Sequence, residues 1–132
     1  MRTTSLTVAT HRDKQVMDIT DRIEHVVAQS GMTEGLCNVF VAHTTAGLTM
    51  GEWIEGTDED LMEALERMIP QLDFRHAHDP SHAPDHIISS LLGPSLTIPV
   101  VAGKLRIGVW QRVLLVECNG PRERDCIVTL LY

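Results

Sequence analysis

The spacing of apolar residues along the chain predicts three helices. Between Asp18 and Gly31 they recur at helical intervals, which indicates a helix with Asp18 as N-cap and Gly31 as C-cap. Residues 57–69 repeat that spacing and predict a second long helix, with Thr57 as N-cap. A shorter helix is predicted over 84–92, because proline suits its first turn and a Gly-Pro pair follows its end.

Runs of β-branched and other apolar residues predict strands elsewhere. A short strand opens the chain at 5–10, and a buried one covers 36–42 and continues in extended form to Glu52. Strands that run together, with helices set apart from them, favour an α+β fold with a mainly antiparallel sheet. The strands that follow the last helix at close spacing cover 95–100, 104–110, 112–119 and 125–132.

Length and composition limit the classes of protein that fit. The chain predicts a single domain, 1–132, whose core needs neither a metal nor disulfides. A net charge of −7 and only two lysines, Lys14 and Lys104, argue against a nucleic-acid partner. No apolar run approaches the roughly 20 residues that a bilayer requires, so no membrane partner is expected. The first residues lack the apolar core of a signal peptide, which favours a cytoplasmic protein.

Three cysteines, Cys37, Cys118 and Cys126, lie inside apolar stretches and form no C-x-x-C pair. This pattern predicts buried thiols in a reducing compartment rather than disulfides. A hydrolase with Cys118 or Cys126 as its nucleophile is disfavoured, because nothing in the sequence around either residue would activate a thiolate.

Two polar residues interrupt the apolar strands. His43 directly follows the strand 36–42, where an imidazole is held rigidly. It is either a ligand or base, or a core histidine bonded to the backbone. Glu117 falls within the apolar run 112–119. Since an unpaired buried charge is costly, Glu117 either faces solvent at a sheet edge or is buried with a partner.

Four of the seven histidines are crowded into the stretch 75–86. His76 and His86 are the stronger candidates for a site. His86 lies in the first turn of the short helix, whose dipole disfavours the charged imidazole and leaves it free to act as a ligand. His78 and His82 are predicted to be solvated loop residues. Because His82 precedes the proline that opens the helix, His82 and His86 do not form a helical pair of zinc ligands.

Four segments of the chain form a specific combination of motifs. The segments are HTTAGLTMGE (43–52), DHIISSLLGPSLTIPV (85–100), GKLRIGVWQRVLLVE (103–117) and GPRERDCIVTL (120–130). In sequence, order and spacing they resemble the YjbQ-like family of uncharacterised proteins over nearly the whole chain. The resemblance implies a compact α+β fold with a β-sandwich-like core, and assembly as a homotrimer.

The resemblance also implies a set of site residues. Arg122 would contact an anion, unless it pairs with Glu123 or Asp125 at the surface. Where relatives commonly have Asn-Glu-Asn, this chain has Gly-Glu-Trp at 51–53, which removes two amides from the implied cleft. The implied residues are His43, Thr44, Thr45, Gln111 and Glu117 for catalysis, Glu52, Trp110 and Arg122 for substrate, and His43, His86 and the strand-terminal His76 for a metal.

Similar proteins are linked to a secondary thiamine-phosphate synthase activity. That reaction joins a hydroxymethylpyrimidine diphosphate to a thiazole phosphate with loss of pyrophosphate. The resemblance thus implies a metal-dependent enzyme of small phosphorylated metabolites, with zinc, manganese, magnesium or a similar divalent ion as cofactor. A non-catalytic trimer that binds a metal or a phosphorylated metabolite is the alternative. Release of pyrophosphate distinguishes the two.

Overall fold

Eight strands and three α-helices make up the computed structural model, which describes residues 1–132. The predicted α+β fold, with two longer helices and one shorter helix, is confirmed. The helices are α1 (Thr20–Ser30), α2 (Thr57–Met68) and α3 (Ala83–Leu92), and a 3₁₀ turn, Pro80–His82, leads into α3. The strands are β1 (Arg2–Ala9), β2 (Gln15–Asp18), β3 (Glu34–Val41), β4 (Ala46–Gly51), β5 (Ser95–Val101), β6 (Lys104–Leu105), β7 (Arg112–Glu117) and β8 (Glu123–Leu131).

The strands form two antiparallel sheets with the main core between them. The larger sheet has the order β1-β8-β3-β5-β6 and the smaller one the order β2-β7-β4. Successive side chains of a strand point to opposite faces. In β3, Cys37, Val39 and Val41 are therefore buried, whereas Leu36 and Phe40 lie on the exposed outer face of the larger sheet. Helix α1 adds Ile23 and Val27 to the same core, so the sheets and α1 form one hydrophobic unit.

Strand β7 is buried on both of its faces. Val113 and Leu115 pack into the main core, while Leu114 and Val116 belong to a second apolar cluster with residues of α2 and α3. This explains the uninterrupted apolar run that the sequence shows there. Because β7 is packed on both faces, the position of Glu117 at its end is well defined.

Two predictions about strands need correction, and one strand was not predicted. The stretch 104–110 forms only the short β6, after which Gly108 and Gln111 close a tight turn through the Gln111 side chain, which accepts from Gly108 N at 2.7 Å. His76 does not end a strand, because the segment 69–79 forms neither helix nor strand. Strand β2 was missed, since its four residues are too few to show a period.

The helix ends agree with the sequence to within one residue. Gly31 ends α1 in the left-handed conformation (φ 73°), as predicted. The predicted N-caps Asp18 and Thr57 are each displaced by one position. Ile19 occupies the N-cap of α1, and the Asp18 carboxylate accepts from Thr20 N at 3.0 Å, while Gly56 is the N-cap of α2. None of the three helices has the length and apolar character needed to cross a membrane.

Candidate functional site

A polar cleft opens where the ends of three segments meet. The segments are the loop between β3 and β4, the first turn of α3, and the turn between β7 and β8. The cleft measures about 660 Å³ and has no hydrophobic residue in its lining. We call it the His43 cleft. Its lining residues are His43, Thr44, Thr45, His86, Asn119, Arg122, Glu123 and Arg124.

A buried ion pair forms the floor of the His43 cleft. Glu117 and Arg124 are 0% and 1% exposed. Arg124 Nε donates to both Glu117 oxygens, at 2.8 and 3.0 Å, and Nη2 also contacts Glu117. Thr10 Oγ1 donates to Glu117 at 2.6 Å, and Asn119 N donates to it at 3.2 Å. Of the two alternatives for Glu117, burial with a partner is the correct one.

The contacts of Glu117 determine its protonation. Burial alone would raise the pKa of this carboxyl, but the hydrogen bonds from Arg124, Thr10 and Asn119 favour the ionised form more strongly. The net pKa of Glu117 is therefore lowered from its ordinary value. The carboxylate stays charged and holds the Arg124 guanidinium in one orientation.

Arg124 was missed by the sequence reasoning, although a signal was present. It shares the inward phase of β8 with Cys126, Val128 and Leu130, all of them buried. An arginine in that phase needs a buried acid, and Glu117, across the tight turn, is the one available. The side chain also donates from Nη2 to Thr45, to Oγ1 at 2.9 Å and to the carbonyl at 3.1 Å.

One nitrogen of the Arg124 guanidinium, Nη1, has no hydrogen-bond partner within the chain. Nε and Nη2 are engaged by Glu117 and Thr45, but Nη1 has no hydrogen bond within the chain. No side-chain nitrogen or oxygen in the chain is both fully buried and unpartnered, so Nη1 reaches solvent, and Arg124 lines the cleft. Nη1 is thus the one unpartnered nitrogen of a rigidly held cation that lines the cleft.

His43 is bonded to the backbone and also lines the cleft. Its Nε2 accepts a hydrogen bond from Asp125 N at 2.8 Å. The pKa of His43 is lowered, first by burial and then by the positive charge of Arg124, and the carboxylates of Asp125 and Glu117 offset this only in part. The imidazole is therefore neutral at pH 7, with its proton on Nδ1 because Nε2 is an acceptor.

Thr44, Thr45, Arg122 and His86, all implied by the resemblance, line the cleft together with His43. Thr44 is exposed, whereas Thr45 is 8% exposed and bonds Arg124. Arg122 is exposed, and its Nε donates to the Asn119 carbonyl at 2.7 Å. It makes no ion pair with Glu123 or Asp125, so the surface-pair alternative for Arg122 is wrong.

Glu52, Trp110 and Gln111, which the resemblance also implies, lie outside the cleft. Trp110 is 71% exposed beside the turn that Gln111 closes. Because 104–110 does not continue as a strand, Trp110 and Gln111 lie at the turn that precedes β7 and not in the His43 cleft. Glu52 follows the far end of β4, which at about 3.3 Å per residue lies roughly 20 Å from the His43 end of that strand.

The three histidines implied as metal ligands do not form a ligand set in this arrangement. The rings of His76 and His86 stack, with centroids 4.9 Å apart and planes at 25°. His76 Nδ1 accepts from Asp79 N at 3.1 Å. A ligating histidine normally donates its second ring N–H to an acceptor, whereas His43 and His76 each face a backbone N–H donor. No three His, Cys, Asp or Glu side chains lie close enough to hold one ion.

The histidine stretch 75–86 behaves differently from the prediction at one position. His78 is exposed, as expected. His82 is better anchored than a solvated loop residue: its Nε2 lies 3.2 Å from the Asp79 carboxylate and its Nδ1 lies 3.2 Å from Asn119 Nδ2. The fold of the loop around the 3₁₀ turn brings these partners together, and the sequence gives no sign of it. His82 thus supports a cleft residue, Asn119.

The cysteines do not provide a nucleophile. Cys37, Cys118 and Cys126 are free and buried. Burial raises the pKa of Cys37 and Cys126 to about 11 and that of Cys118 to about 12. A thiolate at any of these positions is strongly disfavoured at neutral pH. The prediction of buried free thiols is confirmed.

A second and larger groove, of about 1050 Å³, lies beside α2, α3 and the segment 69–74. Its one cation, Lys14, donates to Asp85 Oδ1 at 2.9 Å and to the Cys118 carbonyl. Burial would lower the pKa of Lys14, but the contact with Asp85 outweighs it and the pKa is raised. This charge is therefore largely satisfied inside the chain, whereas Arg124 keeps donors free. The His43 cleft is the stronger candidate site.

Relatives of known sequence cover almost the whole chain. The profile of the family described as UPF0047 protein YjbQ-like matches residues 4–132. A UPF0047 protein from Archaeoglobus fulgidus is 39% identical over 127 residues, which cover 96% of this chain and 98% of that protein. A UPF0047 protein from Mycobacterium tuberculosis is 40% identical over 129 residues, which cover 96% of this chain and 95% of that protein.

Solved structures match the fold equally well. A hypothetical protein from Aeropyrum pernix K1 is similar with a TM-score of 0.92 and 38% identity, covering 99% of this chain and 98% of that one. A YbjQ-like protein of unknown function from Sulfolobus solfataricus P2 has a TM-score of 0.91 and 35% identity, covering 98% and 95%. The motifs, the fold and these relatives agree, and the chain belongs to the UPF0047 (YjbQ-like) protein family.

Proposed function

We propose that the chain is an enzyme of small phosphorylated metabolites and that it binds their phosphoryl groups in the His43 cleft. The main supporting observation is that Arg124 lines the cleft with Nη1 unpartnered, while Glu117 holds its guanidinium in one orientation. Because Nε and Nη2 are engaged by Glu117 and Thr45, Nη1 is left to donate a charge-assisted hydrogen bond to a phosphoryl oxygen. Because the ion pair orients Arg124 before any ligand arrives, little reorganisation is required on binding.

The rest of the lining supports an anionic ligand. Arg122 adds a second positive charge at the mouth of the cleft, and Thr44 adds a hydroxyl group. The chain carries a net charge of −7, so a cluster of cationic and neutral donors around one opening is a local exception. Glu123 is the one acid among the lining residues. The absence of apolar lining favours a polar group over a hydrophobic one.

The finer proposal is a transfer of the thiamine-phosphate synthase type. The bond between the pyrimidine methylene carbon and the diphosphate oxygen breaks, and a carbon–nitrogen bond to the thiazole forms. Pyrophosphate leaves with the bonding electron pair. Arg122 and Arg124 would stabilise the charge that develops on this leaving group. This mechanism involves no metal, because the three implied histidine ligands are not arranged to hold one ion. A bound divalent ion stays a prediction, which elemental analysis of untagged protein tests.

We also propose a cytoplasmic homotrimer. The outer face of the larger sheet exposes large apolar residues on three neighbouring strands, a pattern that favours burial against another copy. Register places Leu36 beside Leu131 on that face. A light-scattering mass equal to one 14.7 kDa chain at micromolar concentration would contradict the trimer. The residues concerned are Leu36 (43% exposed), Phe40 (39%), Val101 (47%) and Leu131 (41%).

The test of the enzymatic proposal is release of pyrophosphate. Purified full-length protein is incubated with hydroxymethylpyrimidine diphosphate and thiazole phosphate, with and without added Mg²⁺ or Mn²⁺. Release that depends on both substrates supports a transferase. Binding of the diphosphate without release would support the alternative, a non-catalytic phosphometabolite-binding protein.

Matched variants connect any activity to the cleft. Arg124→Lys keeps the charge but removes the planar guanidinium and its unpartnered Nη1, and we expect it to reduce activity more than tenfold, by about 1.4 kcal/mol or more. Arg106→Lys is the control, since Arg106 is exposed and lies outside the cleft. Equal losses in both variants would contradict the assignment of the site.

A further inference from the structure

We infer that His43 meets a bound anion as a neutral imidazole that donates through Nδ1–H, and that it is not a metal ligand. The tautomer follows from the fold of the free chain, whereas the identity of the acceptor rests on the phosphoryl-binding function proposed above.

The tautomer is determined by how β3 and β8 end. Their ladder runs from Leu36 opposite Leu131 to Val41 opposite Cys126. One residue further, Ala42 N donates to the Asp125 carbonyl at 3.1 Å, but Asp125 N does not donate back to a carbonyl. It donates to His43 Nε2 at 2.8 Å instead. The imidazole nitrogen thus replaces a backbone oxygen as the last acceptor of the ladder, and a nitrogen that accepts cannot carry the proton.

The opposite ring nitrogen is the one left for a ligand. His43 Nδ1 has no partner within the chain, and His43 lines the cleft beside Arg122 and Arg124. The charged groups around the ring are Arg122, Arg124 and Asp125 on or next to β8, and Glu117 at the end of β7. Their balance, together with burial, lowers the pKa of His43 and supports the neutral form. A neutral imidazole N–H is a competent donor to an oxygen that carries negative charge.

Metal ligation would require this arrangement to be undone. A metal on Nδ1 requires the proton to leave that atom, and a neutral ring would then carry it on Nε2, facing the Asp125 N–H. Two donors would oppose each other, and the last amide of the ladder would lose its acceptor. The ring would have to leave the strand end to accommodate the ion. Hydrogen-bond polarity therefore favours a donor role for His43.

The tautomer is tested by ¹H–¹⁵N correlation spectra of the imidazoles in the full-length protein at pH 7.5. The His43 signals are assigned by their loss in His43→Gln, with His25→Ala, an exposed histidine outside the cleft, as the control. We expect a protonated Nδ1 and an unprotonated Nε2. A protonated Nε2, or a doubly protonated ring, would overturn the inference regardless of function.

Additions of inorganic phosphate and of Zn²⁺ test the ligand. We expect phosphate to shift the His43 Nδ1 proton without changing the tautomer, and His43→Gln to weaken phosphate binding by about tenfold. Phosphate that binds without moving the His43 signals, or stoichiometric Zn²⁺ that switches the tautomer, would overturn the inference alone. If the Nδ1–H form is present but millimolar phosphate does not bind, the proposed function fails, and the donor role fails with it.

Discussion

Two histidine-bearing regions of this molecule differ in what surrounds the rings. His43 stands at the end of a strand, where a backbone amide fixes its ring and a buried ion pair lies beside it. The stretch 75–86 contains four histidines, but His78 is exposed and His76 stacks on His86 without converging on a common point. The number of histidines in a segment therefore says little about whether it forms a site. The partners that fix each ring say more.

The largest expected effect is on the floor of the cleft. Glu117→Ala leaves Arg124 buried without its counter-ion, and we expect the free energy of unfolding to fall by about 3–5 kcal/mol. Chemical denaturation of wild type and variant measures it. Glu117→Gln, which retains an acceptor, should lose less. A loss below about 1 kcal/mol for Glu117→Ala would mean that the pair is not buried as described.

The same pair predicts a dependence of stability on pH. The pKa of Glu117 is lower in the folded chain than its ordinary value of 4.5. Its contribution to stability is therefore complete above that value and is lost as the pH falls through the lower, folded pKa. We expect the stability of wild type to fall more steeply than that of Glu117→Gln as the pH is lowered below about 4.5. Parallel curves for the two proteins would contradict the assignment.

His82 should have an intermediate effect, since it supports the cleft from the loop side. His82→Ala removes the hydrogen bond to Asn119, which we expect to cost roughly 0.5–1.5 kcal/mol of unfolding free energy. Denaturation in urea, with Asn119→Ala and the double variant, checks whether the two residues act together. Fully additive losses would show that their bond contributes nothing.

The smallest effect is expected at His78, whose side chain is exposed and whose ring centroid lies 6.1 Å from that of His76. His78→Ala should change the free energy of unfolding by less than about 0.5 kcal/mol. Its phosphate affinity should equal that of wild type. A weakened phosphate affinity in this variant would indicate that the anion binds at the stretch 75–86 and not in the His43 cleft.

The sequence predicts the layers of this fold better than its connections. Amphipathic spacing identifies α1, α2 and α3, and the uninterrupted run of β7 reports its burial on both faces. Strand β6 was overestimated because the side chain of Gln111 closes a turn that no period reveals. Local patterns carry no information about such a side-chain contact.

The site was predictable where one residue breaks a pattern and not where several elements meet. Glu117 interrupts an apolar strand, so its burial with a partner could be considered from sequence alone. Arg124 was overlooked, although it shares the inward phase of β8. The link between His82 and Asn119 joins residues 37 positions apart in loops, and only the folded chain brings them together.

Titration of inorganic pyrophosphate by calorimetry tests the central claim most directly, because it compares the two regions with one ligand. Wild type, Arg124→Lys and a double variant, His76→Ala with His78→Ala, are titrated at pH 7.5 without a histidine tag. We expect the double variant to bind like wild type and Arg124→Lys to bind at least tenfold more weakly, a difference of about 1.4 kcal/mol or more. Unchanged binding in Arg124→Lys together with lost binding in the double variant would contradict the account.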